Sequence, residues 1–172
     1  MLNRVSFFLF YKHFKIKIMD VILKYTLKKI QEQTSLIPNL NRGGCCHFAK
    51  LLAKELEQRN IKFKTSLMDW SSSIPQKVNR AVRNREDYLF GNSHVAIKIG
   101  KYYIDGEDTS SNPNDLYEGE VLNTTLTYKD IKFYANNYYW NSAFNKRKYH
   151  SIISKIIKEQ FKIYDKLQND RK

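Results

Sequence analysis

Hydrophobic and polar positions alternate along this chain with two different periods, and the switches between them divide it into elements. From Asp20, the stretch VILKYTLKKIQEQ places Ile22, Tyr25, Leu27 and Ile30 at roughly helical spacing, which predicts a first helix. Residues 34–44 (TSLIPNLNRGG) carry Pro38 and paired glycines and are expected to be a loop. Cys45 to Arg59 is predicted as an amphipathic helix, with Ala49, Leu52, Ala53 and Leu56 on one stripe. Glu55 and Arg59 stand one turn apart, suited to an ion pair. The period then shortens: Ile61, Phe63, Thr65 and Leu67 alternate with Lys62, Lys64 and Ser66, which predicts a strand.

Residues 71–93 are expected to be a loop with a short helix, and SHVAIKIGKYYIDGE after them is the strongest hairpin signal in the chain. Gly100-Lys101 suits a type II′ turn, so paired positions sum to 201. Val95, Ile97, Ile99, Tyr102 and Ile104 then share a core face, while His94, Asp105 and Glu107 share the other. Residues 106–127 are rich in turn formers. From Tyr128 to about Trp140 an aromatic helical pattern follows. A long helix from about Asn145 to Leu167 then carries Ile152, Ile153, Ile156, Ile157, Phe161 and Tyr164. Helices, a small antiparallel sheet and helices again imply an α+β fold. At 172 residues the chain is expected to hold one domain over 19–172, with 1–18 as an N-terminal extension. Val5–Tyr11 is far too short a hydrophobic run to span a membrane.

Charge alters this picture less than its size suggests. The chain carries +13, which invites a nucleic-acid or acidic-protein partner. The basic residues are spread along the sequence; even the richest segment, 145–172, is a helix pattern with a lysine-rich face. A solvated surface is therefore the favoured reading, and polyanion binding is the alternative.

Cysteine usage is more informative. The only two cysteines are neighbours, so a disulfide scaffold is excluded and a reducing, cytoplasmic setting is expected. Adjacent cysteines are also poor tetrahedral co-ligands, so no metal and no other cofactor is expected. Gly43-Gly44 allows close backbone approach just before a helix start. A thiol there faces the positive end of the helix dipole, which favours the thiolate, and unpaired amides that can hold an oxyanion. Cys45 extends the apolar stripe and points toward the sheet, whereas Cys46 lies on a wetter side and is the alternative nucleophile. His94 is the candidate base and Asp105, diagonal to it, the orienting carboxylate, with Glu107 as the alternative.

Gly44-Cys45-x-x-Phe48-Ala49 resembles the helix start of transglutaminase-like cysteine enzymes, and SHVAIKIGKYYIDGE resembles their strand-turn-strand segment from His to Asp. The resemblance covers about 41–107. It implies a papain-like core in which an N-terminal helix bearing the nucleophile packs on an antiparallel sheet, and a triad of Cys45, His94 and Asp105. Arg42-Gly43-Gly44-Cys45-Cys46 also satisfies the R-G-G-x-C pattern of arylamine N-acetyltransferases, which would make Cys46 the nucleophile. Asn39 stands six residues before Cys45, where papain-type enzymes place the glutamine that holds the oxyanion. The activity implied is acyl transfer from a peptide, protein or other amide substrate through a thioester, to water or to an amine. Trp70, Tyr102, Tyr103 and the basic 76–85 stretch are candidates for lining a substrate groove.

Overall fold

The computed structural model describes residues 21–41, 43–69, 93–112, 115–116, 120–122 and 144–170. The expectations for 1–18, for the 71–93 loop, for Trp70 and for the aromatic stretch 128–140 lie outside the described residues. Three helices and a five-stranded antiparallel sheet are present among the described residues, an α+β arrangement. In chain order these are α1 (21–34), α2 (Cys45–Gln58), β1 (Lys64–Asp69), β2 (Ser93–Ile99), β3 (Tyr102–Ile104), β4 (Thr109–Ser110), β5 (Glu120–Leu122) and α3 (Lys146–Asn169). The sheet runs β4-β3-β2-β1-β5.

Layering explains the burial. α2 packs against β2 on one side and α3 on the other, so it is the middle layer. Cys45, Phe48, Ala49, Leu52 and Leu56 join Val95, Ile97 and Ile104 in the main core, as the stripe predicts. Burial on α2 is nevertheless wider than one stripe, because α3 also meets His47 through His150 and Glu55 through the Arg59–Asp165 fork. α3 presents Ile153, Ile157, Phe161 and Tyr164 inward, while Ile152, expected in its apolar face, is 44% exposed. On α1 the buried positions are Ile22, Leu23, Thr26, Leu27, Ile30, Gln31 and Thr34. Tyr25 is 53% exposed and lies under the Lys29 ammonium instead. The inward face of α1 thus includes polar residues, which a purely hydrophobic count misassigns.

Local chemistry sets the element ends. α2 closes on a Schellman motif: Asn60 takes a left-handed φ of 55°, its N–H reaches Glu57 O at 3.0 Å, and Ile61 N–H reaches Leu56 O at 3.0 Å. That motif holds Ile61 out of the sheet, so β1 begins at Lys64, later than the alternation from Ile61 predicts. α3 starts at Asn145, whose side chain accepts from Lys148 N–H at 3.0 Å. Arg59 ties the two helices together through a fork onto Asp165 at 2.9 and 2.8 Å and a bond to Glu55 at 2.8 Å.

The β2–β3 register is Ile97↔Ile104, Lys98↔Tyr103 and Ile99↔Tyr102, the pairing that sums to 201. Gly100 adopts φ 59° while Lys101 does not, as a II′ turn requires. The outer face is not wholly wet, since Ala96 and Tyr103 form a second small apolar cluster with Leu116. The turn-rich segment contains β4 and β5, two short edge strands specified by backbone pairing rather than by side-chain pattern. No helix among the described residues is long and apolar enough to cross a membrane.

Candidate active site

The first turn of α2 abuts β2 because Gly44 allows it. A Cβ at Gly44 would lie 2.5 Å from Leu40 O and 2.9 Å from the Phe144 ring, so a larger residue would push the helix start away. Gly43, at φ 105°, turns the chain into that approach. The first intrahelical bond is Phe48 N–H to Gly44 O at 2.9 Å. The amides of Cys45, Cys46 and His47 therefore have no acceptor within the helix.

Cys45 is buried at this point and makes a hydrogen bond with His94. His94, 2% exposed, donates from Nε2 to Asp105 Oδ2 at 2.9 Å. Nε2 being engaged, Nδ1 is the ring nitrogen left to face sulfur. Asp105, 1% exposed, is saturated with donors. Its Oδ1 accepts the N–H groups of Glu107 and Asp108, both at 2.8 Å, and Asn41 Nδ2 adds a 3.0 Å bond to Oδ2.

The electrostatics follow from this wiring. The Cys45 thiol is held well below its ordinary value by a hydrogen bond donated from Cys46 S–H; burial opposes this, and His94 and the Val95 backbone N–H lower it further. Burial acts to lower His94, but its bonds to Asp105 and Cys45 prevail and carry it up to about 10. Burial likewise acts to raise Asp105, yet His94 and the two backbone amides hold it below its ordinary value. Cys46 moves the opposite way, well above the usual thiol range, because it donates to Cys45 and its partial burial disfavours the charged form. The favoured resting state is a Cys45 thiolate beside a His94 imidazolium, with Cys46 as a protonated thiol.

Cys45, His94 and Asp105 are thus brought together. Glu107, the alternative orienter, contributes its backbone N–H to Asp105 and exposes its side chain. Asn39 is an exposed residue in a left-handed turn, φ 59°. The asparagine that enters the site is Asn41, whose Oδ1 is buried without a partner among the described residues. Tyr102 and Tyr103 sit on opposite faces of β3; Tyr103 lies beneath Lys98 and joins the second apolar cluster.

Three residues that support the site carry no sequence signature. Gln31 Nε2 donates to Asp105 O at 3.2 Å and also to Asp108 O, while Thr34 Oγ1 donates to Gly106 O at 2.7 Å. α1 therefore clamps the turn that presents the Asp105 carboxylate. Asn41 is the third. His47 is a buried polar residue outside the site, with its Nε2 2.8 Å from His150 Nδ1 at the α2–α3 contact. Among the described residues no group of three or more His, Cys, Asp or Glu side chains is placed to hold a metal ion.

Compared with protein-family models, curated proteins and solved structures, the chain matches none. Its functional reading rests on these residues and their geometry.

Proposed function

We propose that this protein is a cysteine-dependent acyl-transfer enzyme of papain-like architecture, with Cys45 as nucleophile, His94 as acid–base and Asp105 as the orienting carboxylate. The observation that carries this is the buried His94–Asp105 bond of 2.9 Å, with His94 in turn hydrogen-bonded to a cysteine at a helix start. A structural ion pair needs no thiol at its far end, and a structural cysteine needs no imidazole. Their combination is what nucleophilic catalysis requires.

In this mechanism the Cys45 thiolate attacks the carbonyl carbon of an amide or thioester. The oxyanion that forms is accepted by unpaired amides at the start of α2. The His94 imidazolium passes its Nδ1 proton to the leaving amine, the C–N bond breaks, and a thioester remains on Cys45. His94, now neutral, takes a proton from water or from an incoming amine, which attacks the thioester and frees the thiolate. Asp105 keeps the remaining proton on Nε2 throughout and stabilises each imidazolium.

The test is covalent trapping. Incubation with an activated acyl ester should leave one acyl group on Cys45, located by peptide mass, and Cys45→Ala should leave none. Acylation of Cys46 in the wild type, or equal labelling of Cys45 after His94→Ala, would overturn the assignment.

A further inference from the structure

Three of the four donors that meet the Asp105 carboxylate among the described residues have a plain origin. His94 is its triad partner, and the amides of Glu107 and Asp108 close its own turn. The fourth is different. Asn41 Nδ2 donates at 3.0 Å to Oδ2, the same oxygen that accepts from His94 Nε2 at 2.9 Å. Asn41 belongs neither to the helix of the nucleophile nor to the hairpin of the base, and lies 64 residues from Asp105 in sequence.

Its placement is tightly determined. Leu40, fully buried, is wedged between two glycines. Its carbonyl O is 2.5 Å from the Cβ that Gly44 lacks, and its Cγ is 2.7 Å from the Cβ that Gly106 lacks. This loop therefore touches the helix start before Cys45 on one side and the turn after Asp105 on the other, and Asn41 follows Leu40 directly. Asn41 Oδ1 lies 3.6 Å from the same Gly106 position and is buried with no hydrogen-bond partner among the described residues. An orphaned buried acceptor is a cost to folding that an apolar side chain would avoid. What the amide provides is the donor at its other end.

That donor bears on the triad. Oδ1 is already fixed by two backbone amides, so the aim of Oδ2 depends on what else holds it. A neutral donor there favours the ionised carboxylate and brings no charge of its own. The charged groups about Asp105 are His94 on β2 and, in its own turn, the exposed Glu107 and Asp108. α1 meets this turn with the neutral Gln31 and Thr34.

We infer that Asn41 is a positioning residue of the acyl transfer, acting through Asp105 by holding Oδ2 as a charged acceptor aimed at His94. The inference rests on the Cys45–His94–Asp105 reading.

The experiment measures single-turnover acylation of Cys45 by an activated ester from about pH 4 to about pH 8, with thermal unfolding of the same full-length samples. Asn41→Leu keeps the bulk and removes the donor. Its rate should fall about 10–100-fold, the worth of one hydrogen bond to a charged group. Asn41→Asp separates donation from packing, because its shape is nearly unchanged. Two carboxyls joined by one hydrogen bond share a proton, which raises the titration of the pair above the ordinary carboxylate range. Below that titration the introduced carboxyl donates to Oδ2, and the rate should match wild type at the same pH. Above it the donor is gone, and the rate relative to wild type should fall to that of Asn41→Leu. If Asn41→Leu does not fold, the pH dependence of the Asn41→Asp ratio decides alone. A ratio that stays flat with pH, or a folded Asn41→Leu protein that acylates at the wild-type rate, would overturn the inference while leaving the triad intact. A wild-type Cys45 that takes no acyl group would overturn both.

Discussion

Replacing Asp105 by asparagine separates catalysis from stability in a way that the hydrogen-bond pattern makes calculable. The asparagine Oδ1 can still accept from Glu107 and Asp108 N–H, so the turn stays closed. Its Nδ2 takes the place of Oδ2 and faces two donors, Asn41 Nδ2 and His94 Nε2. Asn41 escapes the clash by rotating its amide, because its Oδ1 has no partner among the described residues and can accept from the new NH2. His94 escapes only by giving up its Nε2 proton and keeping the one on Nδ1. That leaves a neutral imidazole in the inverted tautomer and removes the carboxylate that sustains the imidazolium. The stability cost is the charge assistance of a few bonds, about 1–2 kcal/mol. The kinetic cost is far larger. Tautomer inversion costs about 10⁴-fold in a serine triad; a preformed thiolate depends less on its base, so a fall of about 10²–10⁴-fold is expected, or roughly 2.7–5.5 kcal/mol in the barrier. Single-turnover acylation by an activated ester, beside thermal unfolding of the same samples, measures both. A folded Asp105→Asn protein that acylates at the wild-type rate would refute the triad. Equal losses in rate and stability would mean that Asp105 is only structural.

Other consequences follow from residues around the site. Burial, and after it the charges of His150, Lys146 and Lys50, lowers His47 from 6.5 to about 3. The unfolded chain therefore gains the proton first, and stability should fall as pH drops below 6.5, by about 2 kcal/mol at about pH 5. His47→Phe keeps a ring against Phe144 without that proton, so urea midpoints measured from neutral to acid pH should decline less steeply than in wild type; parallel curves would contradict the assignment. Arg59→Ala removes the fork onto Asp165 and strands the buried Glu55 carboxylate, and should cost about 2 kcal/mol by chemical denaturation while leaving the rate of thiol alkylation unchanged. Gly44→Ala forces a Cβ against Leu40 O and Phe144, and should cost about 1–3 kcal/mol and slow Cys45 acylation as the helix start is displaced.

What was legible from residues alone was what two periodicities and a turn determine. The hairpin register follows from Gly100-Lys101, and with it the placement of Asp105 within reach of His94, because a two-residue turn leaves no freedom in pairing. The inward direction of Cys45 follows from its place on the α2 stripe. The rest depends on contacts that no local pattern encodes. His47 and Glu55 lie on what looks like the polar face of α2, and they are buried because α3, about a hundred residues later, covers them. Asn41, Gln31 and Thr34 read as ordinary loop and helix polar residues; their role arises only when α1 meets the turn after β3. Asn39 and Glu107 were reasonable by spacing, but a left-handed turn at one and the Asx-type closure around Asp105 at the other let neighbouring groups take their places.

The most direct test of the paired thiolate is the rate of Cys45 alkylation by iodoacetamide as a function of pH. Burial opposes both charges, but the hydrogen bonds that lower Cys45 and lift His94 to about 10 predict a reactive thiolate at pH values well below the ordinary thiol range. His94→Ala should shift the midpoint up toward the roughly 8.5 of an unassisted cysteine. A wild-type profile that rises only around that value, and that His94→Ala leaves unmoved, would contradict the account at its root.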